Sequence, residues 1–317
     1  MRRFFYAANL DDINKDNNKP EDHNNNRPHY PKLNTLVIGA SLILTETITH
    51  HWCRVLRANS GERGILFDGF GGEYLVELAT ISKKQATAIL LTHNTDDRTA
   101  PFISKIGLVI SRGERMDYAI QKSTELGVTA IQLLSSHHGE VHLKPLQVDK
   151  KVAHWQQVAI AACEQCGLNR PPLIIAPVSI DAWLQTLAKP SVDNTTNGRS
   201  DSHPSKVIGN QIAVGSAMTA LSQDPYYQQL QQQADLSLML SVPAVAQPLM
   251  PTTLCNVLAK PLPYINLLVG PEGGLSTDEC QQAQQVGFAA WQIGTRVLRT
   301  ETAPIVALAT LHALSDL

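Results

Sequence analysis

The sequence predicts an α/β chain of two domains: a small β domain, then a mainly parallel sheet with helices on both faces. Three observations carry this. Two short β-rich runs, Ile65–Phe67 and Tyr74–Leu78, flank Asp68-Gly69-Phe70-Gly71-Gly72, which is turn chemistry. From residue 86 onward, apolar strand candidates alternate with helical patterns, the order of a parallel sheet with crossover helices. The 317 residues, 43% of them apolar, suffice for about two cores of ordinary size.

Taken in order, the β domain covers residues 1–85 and is interrupted by residues 11–35. That stretch is Asn-rich, polar and almost free of aliphatics, so it is expected to be a flexible insertion. The second domain covers 86–317. Its strand candidates are Thr87–Thr92, Ile106–Ser111, Ala130–Leu134, Leu173–Ala176, Leu236–Leu240, Ile265–Val269 and Ala289–Ile293. Glu114–Leu126 is a helix with Met116, Ala119, Ile120 and Ser123 on one face, and Gly127 suits the position after its end. Residues 189–235 are a second, low-complexity insertion, with a helix expected near Pro225–Gln233. Ser276-Thr-Asp-Glu279 is a capping box that opens a helix. Glu301–Leu314 is the last helix, and Pro304 is tolerable because it falls in the first turn.

Composition narrows the function. No apolar stretch reaches the length of a membrane span. Arg2 and Arg3 are followed by no apolar run of signal-peptide length. The five cysteines are scattered and odd in number, which fits a reduced cytoplasm better than a disulfide framework. Net charge is −2, so any nucleic-acid site must be a local patch. Outside its insertion the β domain carries seven Lys/Arg against five acids, a net of +2. Arg2, Arg3, Arg54 and Arg57 are its candidate phosphate contacts, and Arg115 and Lys122 on one helix face extend the track. Cys163-Glu-Gln-Cys166 is a lone CxxC, and His137, His138, Glu140 and His142 lack a spaced partner set. Helix packing and a polar loop account for them better than a metal, and no metal is expected.

Two loops carry the strongest signal. Ile265–Val269 runs directly into Gly270-Pro271-Glu272-Gly273-Gly274-Leu275 and then the capped helix. Glycines at the C-terminal end of a parallel strand let a ligand approach the backbone, and ligands bind at that end in α/β folds. A side chain at Gly273 or Gly274 is expected to be intolerable. Thirty residues on, Ile293-Gly294-Thr-Arg296-Val297-Leu298-Arg299-Thr-Glu301 repeats the plan, on what is expected to be a neighbouring strand. Two such loops favour one shared ligand site. No G-x-x-x-x-G-K-[ST] occurs, and Gly69-Phe-Gly71 lacks the third glycine of a dinucleotide fingerprint.

The chain resembles the ribosomal RNA small subunit methyltransferase E family, a branch of the SPOUT methyltransferases. The matching blocks include Met1–Phe5, His51–Arg57, Leu66–Gly69, Arg115–Gly127, Ala161–Gly167, Leu268–Gly274 and Arg296–Ala303. The resemblance implies an N-terminal PUA-like β-barrel and a C-terminal trefoil-knotted SPOUT domain. It implies S-adenosylmethionine as cofactor, 16S rRNA of the small ribosomal subunit as partner, methylation at N3 of one uridine, and a homodimer. The cofactor loops it implies are Leu240-Ser241-Val242, Gly270–Leu275, and Ile293–Arg299. The chain departs from the family pattern at Leu168, at Ser241-Val242 and at Pro304.

Uracil N3 is protonated at neutral pH, so methylation there needs a proton acceptor and stabilisation of the developing anion. Glu301 is the candidate acceptor, and Arg299 or Arg115 the candidate cation. A helix-start carboxylate favoured by the macrodipole is the competing role for Glu301. The competing functions are another SPOUT activity, on tRNA or a ribose 2′-oxygen, and a non-catalytic RNA-binding assembly factor.

Overall fold

The computed structural model describes residues 1–6, 30–83, 85–188, 215–240 and 251–315. Lys84, most of the 11–35 segment and residues 189–214 lie outside the described residues. The chain forms two compact units. The first holds Met1–Thr99 together with Ile160–Pro171 and 215–224, and the second holds the remaining described residues.

The first unit is built on five strands: β1 (Arg2–Phe5), β2 (Ser41–Ile43), β3 (Arg63–Phe67), β4 (Glu73–Ile81) and β5 (Ala86–Asn94). Their order is β1-β3-β4-β5-β2, with β1 parallel to β3 and the other pairs antiparallel. The expected hairpin across Asp68–Gly72 joins β3 to β4. Gly69, Gly71 and Gly72 all have positive φ there, which is why three glycines occupy one turn. Between β2 and β3, α1 (Glu46–Ile48) passes into a π-helix over Thr49–Val55, which seats Trp52 in the core with Phe4 stacked on it.

Two expectations change here. The strand candidate Thr87–Thr92 does not open the parallel sheet. It is part of β5, which pairs antiparallel to β4 inside the first sheet. Its alternating burial is that of a one-faced antiparallel strand. The 11–35 segment is also not wholly an insertion, because Tyr30 and Leu33 are buried in the first core.

The second unit holds six parallel strands: β6 (Ile103–Val109), β7 (Ala130–Ser135), β8 (Leu173–Ser179), β9 (Leu236–Leu240), β10 (Tyr264–Val269) and β11 (Phe288–Trp291). Their order is β11-β9-β10-β6-β7-β8. The helices are α2 (Glu114–Glu125), α3 (Pro145–Cys166), α4 (Ile180–Leu187), α5 (Gly215–Leu221), α6 (Pro225–Gln228), α7 (Pro251–Leu258), α8 (Thr277–Gln285) and α9 (Ala303–Ser315). The last residues of α3, and all of α5, belong to the first unit. Every residue of the central strands β6 and β10 is buried, as in strands covered on both faces. Part of the 189–235 segment is structured, since Met218, Leu221, Tyr227 and Leu230 are all buried.

The strand order corrects a third expectation. The two glycine loops do not follow neighbouring strands, because β9 lies between β10 and β11. The chain leaves β6 toward β7 but leaves β10 the other way, toward β11, so the connections diverge between these two parallel strands, and a crevice opens at the C-terminal ends on the β10 side. After β11 the chain returns across the end of β10, where Thr300 Oγ1 donates to Gly270 O at 3.2 Å. α9 then packs on α2, α7 and β10. It starts two residues later than expected, which leaves Glu301 in the preceding turn.

Lys105, on β6, is almost fully buried, with its ammonium above the Trp183 ring. Desolvation lowers its pKa from 10.5 to about 8. A base whose folded pKa is depressed destabilises the fold below that value, and the penalty fades as pH rises toward 10.5. Lys105→Met is therefore expected to raise unfolding free energy at pH 7 by about 2–3 kcal/mol. Denaturant titrations at neutral and alkaline pH check this: the gain must shrink at the higher pH.

Candidate active site

The crevice is a cavity of about 540 Å³, within the range of small-molecule sites. Three strand ends open into it: Met239-Leu240 from β9, Val269 from β10 and Trp291 from β11. The loop Gly270–Leu275 forms one wall, and Ile293, Arg296, Val297 and Leu298 form another. Leu240 and these loop residues are where the cofactor was expected. Gly294 does not line the cavity, but its φ of +75° shapes the turn that does. Ser241 and Val242 lie outside the described residues.

The loop after β10 depends on its glycines for different reasons. Gly274 has φ +73°, with open space where a Cβ would stand. Gly273 has ordinary φ, but its Cβ would lie 3.3 Å from the Cβ of His138. Only at Gly274, then, is the constraint conformational. The capping box forms as expected, with Glu279 N donating to Ser276 Oγ at 3.2 Å and Ser276 N to Glu279 Oε2 at 2.7 Å. The helix it starts, α8, supplies a wall that sequence reasoning missed: Thr277, Cys280, Gln281 and Gln284. Their i, i+3, i+4, i+7 spacing was a signal of one helix face, but their mixed polarity hid which side met a ligand.

Glu301 does not itself line the cavity but lies in sequence between two residues that do, Thr300 and Ala303. It is 9% exposed, and its Oε2 is buried with no hydrogen-bond partner among the described residues. Its Oε1 lies 3.9 Å from Arg299 Nη1, whose side chain is largely exposed. An unpaired buried carboxylate oxygen costs several kcal/mol of order unless something satisfies it. Arg115 reaches the same region from α2, but its Nη1 donates to Glu272 Oε1 at 3.1 Å. It therefore braces the cavity loop.

The expected RNA contacts separate. Arg2, Arg54 and Arg57 are exposed. Arg54 Nη2 donates to Lys83 O, and Arg57 holds a left-handed φ of +53°. Arg3 is not available as a phosphate contact. Its side chain is buried, ion-paired with Glu73, bonded to Leu168 O and set over Phe67. Lys122 is also engaged, with both carboxylate oxygens of Glu125 within 2.9 Å of its ammonium. Arg3 looks like a free cation in a linear count because Glu73 reaches it only after folding, whereas Lys122 pairs with a residue three positions on in its own helix. The CxxC segment packs the first unit: Cys163 is buried, and Glu164 accepts from Phe5 N at 2.9 Å.

A family model described as an RNA methyltransferase domain matches residues 98–208 and 219–312, and one described as an RNA methyltransferase PUA domain matches 44–91. A solved ribosomal RNA small subunit methyltransferase E of Neisseria gonorrhoeae, bound to S-adenosylmethionine, is 30% identical. The match covers 99% of this chain and 98% of that one, with a TM-score of 0.66. The chain belongs to the ribosomal RNA small subunit methyltransferase E family. Another family member, from Buchnera aphidicola, is 28% identical over 87% of this chain and 92% of its own. A putative methyltransferase of Legionella pneumophila, solved with S-adenosylmethionine, is 28% identical over 88% of this chain and 93% of that one, at TM-score 0.67. Membership agrees with both units, a PUA-type β unit and a parallel-sheet methyltransferase unit. Among the described residues no helix is long and apolar enough to cross a membrane.

Proposed function

We propose that this RNA methyltransferase moves a methyl group from S-adenosylmethionine to N3 of a specific uridine in 16S rRNA. The single observation that carries the reading is the orphaned Oε2 of Glu301, on the segment that lines the cavity at Thr300 and Ala303. The size of the cavity and its mix of apolar side chains with glycine backbone suit a nucleoside-bearing cofactor. When bound, that cofactor supplies an electrophilic methyl group on a sulfonium. Gly270–Leu275 and Ile293–Leu298 would hold it, and Leu240, Leu275, Trp291 and Val297 would keep water from it.

Methyl transfer is an in-line displacement, so the protein mainly provides position and electrostatics. In this reading Glu301 Oε2 accepts the N3 proton as the new bond to carbon forms. The exposed Arg299 guanidinium, 3.9 Å from Glu301 Oε1, would turn to face a uracil oxygen as negative charge develops. Arg115 serves indirectly by holding Glu272. The target base must leave its stack to expose N3. Arg54 and Arg57, together with the exposed Arg2, form the proposed phosphate-contacting surface of the first unit. Arg54→Ala with Arg57→Ala is expected to flatten the salt dependence of rRNA affinity by about two units of slope, with cofactor affinity unchanged in calorimetry. The reading places the enzyme in the cytoplasm as a homodimer. α9 supports the dimer, being largely apolar with Ala309 and Ala313 left exposed.

The deciding experiment is nucleoside mass spectrometry of 16S rRNA from cells with and without the protein. Loss of 3-methyluridine at one site is expected. Loss of a ribose 2′-O-methyl group, or of a tRNA modification, would replace the substrate assignment.

A further inference from the structure

The capping box accounts for only one oxygen of Glu279. The residue is 6% exposed although it sits on the first turn of a helix. Oε2 accepts from Ser276 N at 2.7 Å, as in any capping box. Oε1 accepts at 2.9 Å from the backbone N–H of His137, in the loop that follows β7. One carboxylate thus ties together two loops that are far apart in sequence. Next to it, His138 Nδ1 lies 3.2 Å from Gly274 O, and the His138 Cβ stands 3.3 Å from where a side chain on Gly273 would begin. The loop Ser136–Gly139 is closed on itself by Gly139 N donating to Ser136 O at 3.0 Å, so it can serve as a firm brace.

The geometry points to Glu279 as a positioning residue that locks the cavity loop Gly270–Leu275 onto the loop after β7, with His138 as a second tie. Glu279 itself does not line the cavity. Bonds from a carboxylate to backbone N–H groups are charge-assisted, and the N-terminal end of α8 favours the negative charge. Removing the side chain frees both N–H groups and lets the glycine-rich loop leave its cavity-lining conformation. The consequence for cofactor affinity rests on the function proposed above; the consequence for loop order does not.

The test uses the full chain and two readouts. Hydrogen exchange of the ligand-free protein reports the loop alone. Glu279→Ala is expected to accelerate exchange in both segments, 136–139 and 270–276, about tenfold or more. Glu279→Gln keeps one acceptor and is expected to fall between Ala and wild type. Asp235→Ala is the control: Asp235 likewise accepts from a backbone N–H, that of Tyr264, and pairs with Lys260, at the opposite ends of the strands. It should lower thermal stability with no change in either loop. Calorimetry with S-adenosylmethionine then reads function, with affinity about tenfold weaker in Glu279→Ala, partly recovered in Glu279→Gln, and KM raised far more than kcat is lowered. Unchanged exchange in Glu279→Ala, or equal acceleration in Asp235→Ala, would overturn the positioning role. Failure of the wild type to bind S-adenosylmethionine would overturn the cofactor assignment while exchange still judged the loop.

Discussion

Glu301→Gln is expected to lower turnover by about 10²-fold or more, the usual scale for loss of a general base. Affinity for S-adenosylmethionine should stay within about twofold. The amide has the same shape as the carboxylate, so the variant removes proton acceptance while preserving packing in the turn before α9. The expectation rests on one asymmetry: Oε1 has Arg299 at 3.9 Å, whereas Oε2 is buried and partnerless. A native protein seldom leaves such an oxygen idle. A capping role predicts something different. The first helical residue is Ala303, so a carboxylate at 301 serving the helix would show its loss in thermal stability with turnover near normal. Single-turnover kinetics alongside a melting curve separates the two, and normal turnover in the variant removes Glu301 from the mechanism.

The second large effect belongs to Gly274. Gly274→Val is expected to weaken S-adenosylmethionine binding by up to about 10²-fold, because a β-branched residue at φ +73° carries about 1–3 kcal/mol of strain or more. No neighbouring atom blocks the side chain, so the loop relieves the strain by changing shape, and that shape is the cavity wall. Gly287→Val is the matched control. Gly287 has φ +96° and equally open surroundings, but it ends α8 away from the cavity lining. It should cost stability and leave affinity alone. Equal affinity losses in both variants would show that general destabilisation, not loop shape, weakens binding.

What the sequence determined by itself is local. Short, mostly apolar runs between helical patterns placed every strand of the parallel sheet to within a few residues, because a strand covered on both faces is rich in apolar residues. The Ser276–Glu279 cap, the hairpin glycines and the Gly-Pro-Glu-Gly-Gly loop were readable because each needs particular residues at fixed offsets. Tertiary structure alone decided which strands are neighbours. Hydrogen bonding between parallel strands is blind to sequence distance, so β9 could enter between β10 and β11 without a local sign. It also moved β5 into the first sheet and drew Ile160–Pro171 into the first unit. Charge pairing followed the same logic. Arg3 meets Glu73 seventy residues away, and Arg115 meets Glu272 across 157 residues. A count along the chain registers such cations as free, because their partners are set by folding and not by spacing. Glu279 shows both levels in one side chain: one oxygen obeys the local capping rule, and the other bonds a loop 142 residues earlier that only the packed sheet brings within reach.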